Sequence, residues 1–451
     1  MATKENFIAA TERLGVKVKG QCLTRKDEFA GRSGSHGEGK PSGSPGNFLF
    51  ATGIECSYPT IQHGAVRRDQ LRECGHYEHF QRDFELVADL GLKYLRYGLP
   101  YYSVNPAPGV YDWTQADELM EALKRSGVTP ILDLLHFGVP DHLGNFQNPE
   151  LPAQFAAYAG EVARRYPWVR FFTPVNEVFV TARSSARDGL WNEQLSSETA
   201  FITAIKHGVA ASCLACQAIV QERPDAVFIQ SESAEHLHDA CAEERDDLRL
   251  HNKMNVAALD LLYAHPPDAE VYRHLRAHGM TEAEYQWFMT CEPPGHHIIG
   301  NDYYGRNERI ILPDRSEIQG QEVLGWGEFA RRFYQRYRKP VMHTETNTFD
   351  AAENPEWLWR QWMTLLNLRQ ENVPVVGFTW YSLTDQIDWD TSLAEQNGRV
   401  NAVGLYDLQR NPRPVEAAYR LLLEQFGQMP LLPHDGMFDL SAQPALIKAR
   451  L

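Results

Sequence analysis

The sequence predicts a single (β/α)8 barrel with long loops after its strands. Eight short apolar runs alternate with longer segments of helical period between residues 48 and 427. The near-continuous hydrophobicity of the short runs is typical of parallel strands that are covered on both faces. Eight such alternations within one chain indicate a closed α/β barrel. An open doubly wound sheet is the alternative, but the first run is not followed by the GxGxxG turn of a dinucleotide site.

The eight predicted strands are rich in Ile, Val, Phe and Tyr. They are FLFATGI (48–54), KYLRYG (93–98), TPILDLLHF (129–137), VRFFTPVNE (169–177), AVFIQSE (226–232), HIIGND (297–302), KPVMHTE (339–345) and VVGFTWYS (375–382). The predicted helices between and after them include residues 78–92, 117–127, 153–166, 199–224, 325–339, 354–370 and 414–426. Gly91, Gly127 and Pro224 stand where helices are expected to end before the next strand.

The ends of the chain differ in composition from its middle. In residues 31–46, GRSGSHGEGKPSGSPG, 12 of 16 positions are Gly, Ser or Pro. Such a segment buries too little apolar surface to offset its ordering entropy. We therefore expect residues 1–46 to form a flexible leader with at most a weak helix around 5–14. The barrel is expected at 47–427, and residues 428–451 are expected to pack on the surface as a C-terminal extension.

Charge and composition exclude two classes of partner. The chain has 44 Lys and Arg against 59 Asp and Glu, a formal charge of −15, which argues against nucleic-acid binding. No run of about 18 apolar residues predicts a membrane span. The seven cysteines are scattered and odd in number, and no signal-peptide pattern is apparent at the start. Together these features predict a cytoplasmic protein with free thiols.

Polar side chains cluster where the predicted strands end, which is where an α/β barrel builds its active site. They are Arg96, His136, Asn176, Glu177, Glu232, Asp302, Tyr303, Tyr304, Glu345, Trp380, Tyr381 and Ser382. Burying a lone carboxylate in apolar surroundings costs several kcal/mol, so these groups are expected to share a polar cavity.

Glu177 and Glu345 follow the fourth and seventh strands, on opposing parts of a closed barrel. Two carboxyl groups that face each other are the equipment for glycosidic cleavage. At about 5 Å, one acts as acid and base and the other as nucleophile, with retention; a separation nearer 9 Å leaves room for water and gives inversion.

Several segments resemble glycoside hydrolase family 1, the β-glucosidase-like enzymes. VRFFTPVNEV is similar to the family's TFNEP segment, which implies that Glu177 is the acid/base and that Asn176 contacts the sugar 2-hydroxyl. PVMHTETN resembles ITENG, which implies that Glu345 is the nucleophile. LKYLRYG, ILDLLHFGVPDHL and GNDYYG resemble further family segments. They imply that Arg96 lies beside the nucleophile, that His136 donates to a sugar hydroxyl and that Tyr304 hydrogen-bonds Glu345.

The same resemblance weakens in the part that would hold the sugar. SYPTIQHG stands where the family has SYQIEG, so Gln62 is the candidate for its sugar-binding glutamine. GFTWYSLTDQIDWD, with Trp380 and Trp389, is similar to WSLLDNFEW. Within it Tyr381 stands where a tryptophan supports the sugar ring, and Asp388 stands where a longer glutamate holds the 4- and 6-hydroxyls. Asp302 replaces an asparagine. The resemblance implies that Asp302, Trp380, Tyr381, Asp388 and Trp389 contact the substrate. These departures indicate a divergent branch whose sugar preference is not that of the family by default.

The resemblance and the carboxylate pair together predict a retaining exo-β-glycosidase that acts on small β-glycosides by double displacement. The expected partner is a small-molecule glycoside, no cofactor or metal is expected, and both monomer and homo-oligomer remain open. A catalytically idle saccharide-binding barrel is one alternative. A metal-assisted hydrolase that uses His136, His343 and Asp302 is another.

Overall fold

Eight parallel strands close into a barrel, which confirms the predicted fold class. The structure is a computed structural model that describes residues 6–13 and 47–432. Its strands are β1 (Leu49–Gly53), β2 (Thr60–Ile61), β3 (Val66–Arg67), β4 (Tyr94–Gly98), β5 (Thr129–Asp133), β6 (Phe171–Thr173), β7 (Val227–Ser233), β8 (His236–Asp239), β9 (His296–Asp302), β10 (Glu308–Ile311), β11 (Glu317–Gln319), β12 (Val341–Glu345), β13 (Val375–Tyr381), β14 (Gln386–Ile387) and β15 (Val400–Asn401).

The helices fill the outer layer and the loops. They are α1 (Phe7–Arg13), α2 (Gln70–Glu73), α3 (His76–Asp89), α4 (Tyr101–Val104), α5 (Thr114–Ser126), α6 (Leu151–Arg165), α7 (Val178–Ala182), α8 (Glu198–Glu222), α9 (Asp246–Met254), α10 (Ala257–Leu262), α11 (Ala269–Ala277), α12 (Glu282–Thr290), α13 (Trp326–Tyr337), α14 (Asn354–Gln370) and α15 (Pro414–Phe426). Short 3-10 turns cover Asp141–Leu143, Gly305–Asn307 and Trp389–Thr391, and a π turn covers Arg183–Arg187.

The barrel strands, counted from first to eighth, are β1, β4, β5, β6, β7, β9, β12 and β13. Each pairs in parallel with its neighbours in the chain, and β1 closes the ring against β13. The third and fourth strands end earlier than the apolar runs predict, at Asp133 and Thr173. Consequently, His136, Asn176 and Glu177 lie in buried loops just past the strands, where the backbone can aim them at the barrel axis.

Helix α8 is the most apolar long element of the chain. Among the described residues it is the helix with the length and composition to cross a membrane, with a mean hydropathy of 1.3 over 18 residues. However, 89% of that window is buried within the protein, as expected of a core helix. Its N-terminus is capped by Ser197, whose hydroxyl accepts from the Ala200 amide at 3.3 Å.

The N-terminal helix α1 is packed on the barrel, which corrects part of the predicted leader. Phe7 is buried against the rings of His207, Trp287 and Phe288, with ring centroids 5.2–6.1 Å apart. The apolar face of this short helix is therefore part of the core rather than of a detached segment. The Gly/Ser/Pro-rich stretch at 31–46 lies outside the described residues, as does the extension beyond residue 432.

The loop after the eighth strand is fixed by a buried ion pair between Asp388 and Arg68. Asp388 Oδ2 accepts from Arg68 Nη2 at 2.9 Å, and both side chains are fully buried. The backbone amides of Asn397, Gly398 and Arg399 also donate to this carboxylate, at 2.7–3.0 Å. Burial opposes ionisation, but these hydrogen bonds and Arg68 keep the pKa of Asp388 below its usual range.

This geometry corrects the expectation that Asp388 holds sugar hydroxyls. Its side chain sits at a left-handed backbone position, φ 58°, and is directed back into the loop. Both carboxylate oxygens are already engaged by the protein. Asp388 is thus a structural residue that shapes the loop carrying Trp389.

Asp388→Ala is therefore expected to lower the free energy of unfolding by roughly 3–5 kcal/mol, because it leaves the buried Arg68 short of a partner. The measurement is urea unfolding followed by tryptophan fluorescence. Asp390→Ala is the matched control two residues away, where Asp390 pairs with the exposed Arg399. It is expected to cost less than about 1 kcal/mol. Equal losses for the two variants would contradict this role.

Candidate active site

A cavity of about 230 Å³ is lined by residues at the carboxyl ends of the barrel strands. Six predicted site residues line it: Glu177, Glu345, His136, Tyr304, Tyr381 and Trp389. Arg96, Asn176, Asp302 and Trp380 are buried but are not among the lining residues. The two predicted acids, 168 positions apart in the chain, thus face one common space.

Glu345 ends the seventh strand and is gripped from two sides. The hydroxyl of Tyr304, in the loop after the sixth strand, donates to Glu345 Oε2 at 2.6 Å. The guanidinium of Arg96, on the second strand, donates to Glu345 Oε1. These two hydrogen bonds fix the position of the Glu345 carboxylate in the cavity.

Arg96 connects three strand ends through one guanidinium. Besides Glu345, it donates to Asp133 Oδ2 at 2.8 Å and to Asn176 Oδ1. The carboxylates of Glu345 and Asp133 outweigh the cost of burying the charge and raise the pKa of Arg96 well above its usual range. This network supplies the compensation that a buried charge requires.

The structure assigns Asn176 and His136 to the support of Arg96. The Asn176 amide donates to His136 Nε2 at 3.1 Å, and His136 Nδ1 lies 2.9 Å from Asp133 Oδ2. Burial opposes protonation of this ring, but Cys56 and Asp133 raise the pKa of His136 well above its usual range. His136 lines the cavity, and both side chains belong to the hydrogen-bonded group around Arg96. The sugar contacts of Asn176 and His136 stay predictions.

Glu177 has the opposite surroundings. It directly precedes α7 at a left-handed position, φ 40°, and its carboxyl accepts no hydrogen bond from the described residues. Burial, followed by the negative charges of Asp302 and Glu345, raises the pKa of Glu177 well above its usual range. The cavity therefore holds one carboxyl group that is paired with a cation and one whose pKa is raised, the contrast expected of a nucleophile and an acid.

Glu232, at the end of the fifth strand, fixes the backbone next to Glu177. Its carboxylate accepts from the amides of Val178 and Phe179 at 3.0 and 3.4 Å. Burial raises the pKa of Glu232 to about 8, against the effect of those two amides. Glu232 is directed at the backbone and is not among the cavity-lining residues, so it positions Glu177 rather than contacting a ligand.

Asp302 lies behind the cavity wall at the end of the sixth strand. Its side chain is fully buried and both oxygens lie 2.7 Å from the hydroxyl of Ser231. Burial and the charge of Glu345 raise the pKa of Asp302 to about 7. Asp302 therefore acts on the site through its charge, and the expected direct sugar contact is not supported.

Glu55 and Gln386 are cavity-lining residues that the strand-end reading missed. Glu55 lies two residues past the first strand, with 1% of its surface exposed. Its carboxylate accepts from the Ser57 amide at 3.0 Å and from Gln386 Nε2 at 3.2 Å. Burial raises the pKa of Glu55, while His136 and the hydrogen bonds from Ser57 lower it. A carboxylate beside an amide is well suited to bind sugar hydroxyls.

Gln62, the predicted sugar-binding glutamine, lies away from the cavity. Gln62 lies in the exposed turn of the β2–β3 hairpin, at φ 52°, and does not line the cavity. The sequence signal that could have found Glu55 is its charge next to a buried strand. Glu55 directly follows the predicted first strand, which ends at residue 54.

The aromatic wall of the cavity comes from the eighth strand and the loop after it. Tyr381 and Trp389 line the space as predicted. Trp380, its neighbour on the strand, points to the other side because successive side chains alternate. Its indole donates to the Val403 carbonyl at 3.0 Å, so Trp380 packs in the core and the expected substrate contact is wrong.

The residues named for metal-assisted chemistry do not come together. His343 stacks on Trp326 at 4.2 Å between ring centroids, and neither it nor Asp302 lines the cavity. Among the described residues, the donor atoms of Cys56, Asp133 and His136 lie within 4.8 Å of one another. Hydrogen bonds join this group, and the Arg96 guanidinium on Asp133 disfavours a cation there.

Comparison with known proteins finds several β-glucosidases. The chain is 23% identical to aryl-phospho-β-D-glucosidase BglA of Bacillus subtilis, over 62% of this chain and 67% of that protein. It is 24% identical to 6-phospho-β-glucosidase AscB of Escherichia coli over 36% of this chain and 39% of the relative. It is also 30% identical to coniferin β-glucosidase of Pinus contorta, over 22% of this chain and 21% of the relative.

Solved structures share the same fold. A β-glucosidase from Thermotoga maritima in complex with deoxynojirimycin superposes with a TM-score of 0.70 at 17% identity, covering 84% of this chain and 97% of that one. A structure of a family 1 β-glucosidase from the same organism gives a TM-score of 0.70 at 16% identity. This structural similarity shows that the chain has the same barrel fold.

The sequence profile described as Glycosyl hydrolase family 1 matches residues 59–290, just over half of the chain. This stretch includes Glu177 and ends before Glu345, whose place in the same cavity comes from the structure. The match confirms the resemblance noted in the sequence: the chain belongs to glycosyl hydrolase family 1 and is a glycoside hydrolase.

Proposed function

We propose that the protein is a retaining exo-β-glycosidase that hydrolyses small β-glycosides by double displacement. The observation that carries the proposal is that two carboxyl groups in one cavity have opposite electrostatic surroundings. Arg96 and Tyr304 both donate to the Glu345 carboxylate, whereas Glu177 is buried near negative charges and accepts no hydrogen bond from the described residues. A cavity of about 230 Å³ is smaller than a usual ligand pocket, which favours one terminal sugar ring.

The reaction follows from the different surroundings of Glu345 and Glu177. Glu345 attacks the anomeric carbon while Glu177 donates its proton to the leaving oxygen, and a covalent glycosyl ester forms. Glu177, now ionised, removes a proton from water, which attacks the ester and releases the sugar with its original configuration. Arg96 and Tyr304 orient the nucleophile in both steps.

The glycone is proposed to be an unphosphorylated sugar, although two of the relatives are named for phosphorylated glucosides. At the end of the cavity formed by the first and eighth strands, the polar lining residues are Glu55, Tyr381 and Gln386. None of these is a cation, and the Glu55 carboxylate would repel a phosphate. Hydroxyl groups suit this end of the cavity better.

Glu345→Gly is expected to lower kcat for 4-nitrophenyl β-glycosides about a thousandfold or more, because it removes the nucleophile. Azide should enter the vacated space, restore release of nitrophenol and give an α-glycosyl azide. Glu177→Gly is the matched variant: azide should then yield the β-glycosyl azide, since it replaces water on the glycosyl ester. Product configuration is read by NMR.

Undiminished turnover by Glu345→Gly would contradict the assignment. A wild-type protein that binds sugars in calorimetry, but turns over none of a broad panel of 4-nitrophenyl α- and β-glycosides, would favour the idle saccharide-binding barrel instead.

The basic limb of the pH–rate profile is expected to report Glu177, because the acid must be protonated and activity falls as pH rises through its pKa. The Asp302 charge raises that pKa. Asp302→Asn should therefore lower the pKa of Glu177 and move the basic limb of kcat/KM to lower pH. Asp246→Asn, at an exposed site, is the control. A basic limb that stays in place or moves upward in Asp302→Asn would contradict the coupling.

Glu55→Gln is expected to lower kcat/KM roughly 10- to 100-fold, the loss of one charge-assisted hydrogen bond to a sugar hydroxyl. Monodeoxy 4-nitrophenyl β-glycosides locate the contact, because the effect of the substitution should vanish for the sugar lacking that hydroxyl. Glu121→Gln, on the exposed face of α5, is the control. The same loss on every deoxy sugar would show that Glu55 acts on the fold and not on the glycone.

A further inference from the structure

Arg306 is a cavity-lining cation held between aromatic rings. It lies in the 3-10 turn after the sixth strand, two residues past Tyr304. Its guanidinium carbon lies 4.3 Å from the ring centroid of Phe349, 5.1 Å from that of Tyr304 and 5.9 Å from that of Trp389. These cation–π contacts fix the side chain from three sides.

The guanidinium of Arg306 has no ion pair or hydrogen bond with any of the described residues. The two other arginines that line the cavity are both paired: Arg183 with Glu235, and Arg309 with Glu317 at 2.9 Å. A guanidinium carries five N–H donors that suit a planar carboxylate. Arg306 is thus an oriented cation with its donors unused by the protein around it.

The position of Arg306 identifies the part of the substrate that it would meet. Arg306 and Tyr304 line both the reaction cavity and a neighbouring cavity of about 500 Å³. The second cavity is also lined by Gln319, Gln321, Asn347, Phe349 and Trp357. Glu55 and Gln386 lie on the sugar side of the first cavity, and neither lines the second. A leaving group that points away from Glu55 and Gln386 would therefore lie beside Arg306.

The charges around Arg306 leave its positive charge available. Glu345 is neutralised by Arg96, and Glu235 by Arg183. Burial and the charges of Asp302 and Glu345 raise the pKa of Glu177 well above its usual range, which favours its neutral form. Repulsion by nearby acids is therefore reduced, and an incoming anion would face a cation in a largely buried setting, where electrostatic interactions are stronger than in water.

We propose that Arg306 binds a carboxylate on the leaving group. The preferred substrates would then be aryl β-glycosides whose leaving group is a phenol that carries a carboxylate. The aromatic part would pack near Phe349 and Trp389 while the carboxylate receives two N–H donors. This inference rests on the proposed function, since it names the leaving group for that same reaction.

The test compares 4-carboxyphenyl β-glucoside with its neutral carboxamide analogue. The ratio of their kcat/KM values should favour the carboxylate in the wild type relative to Arg306→Gln by about 10- to 100-fold, the range for a hydrogen-bonded charge. Comparing ratios between variants cancels the intrinsic reactivity of the two phenols. Arg306→Lys should keep part of the preference, and Arg309→Gln, whose charge is already paired, should keep all of it.

Binding provides a readout that does not need turnover. Calorimetry with the corresponding carboxyphenyl and carbamoylphenyl 1-thio-β-glucosides should show the same Arg306-dependent preference. If neither O-glycoside is hydrolysed but this preference appears, the proposed reaction fails and the anion site stands. Hydrolysis of the carboxamide without any carboxylate preference leaves the reaction intact and overturns the anion site.

Two further results would overturn the proposal. An equal loss on both substrates in Arg306→Gln, with no change in the binding ratio, would make Arg306 a support for Tyr304 only. An Arg306-dependent preference for 4-nitrophenyl β-glucoside 6-phosphate over the unphosphorylated glucoside would place the anion on the sugar.

Discussion

The site depends on the buried guanidinium of Arg96. It joins the ends of the second, third and seventh strands by donating to Asp133 and Glu345, and it also holds Asn176 in the loop after the fourth. Two buried carboxylates with no cation between them would repel each other. Arg96 places one positive charge between Asp133 and Glu345 and links the strand ends that carry them. The same cation fixes the position of Glu345, the proposed nucleophile.

The contrast between the two glutamates follows from that one placement. Glu345 contacts Arg96, whereas the Glu177 carboxyl, which lines the same cavity, is buried near like charges and accepts no hydrogen bond from the described residues. Two identical side chains thus have opposite electrostatic surroundings. Asp302 sharpens the difference, because its charge acts on Glu177 from behind the wall while its oxygens remain bonded to Ser231.

Much of the fold could be read from the sequence, because parallel strands covered on both faces leave a continuous apolar signal. The two acids were found because barrel geometry directs attention to strand ends. Asp388 could not be placed that way: its orientation depends on Arg68, 320 residues away in the chain, and on three backbone amides. Gln62 was misplaced because a local hairpin turns it outward, and Glu55 was missed because it lies one residue past the predicted end of the first strand.

The cavity has a charge gradient that no single motif reveals. One end presents the acceptor Glu55 beside Gln386, and the other presents the guanidinium of Arg306, which pairs with no carboxylate in the described part of the chain. A neutral, hydroxyl-rich sugar fits the first end, and an anion fits the second. A substrate with both features would bind in one direction only, with its glycosidic oxygen towards Glu177. The charges at the two ends of the cavity would then orient the substrate before its close contacts with the reacting groups form. In this way a site with a divergent sugar subsite can still position the bond that it breaks.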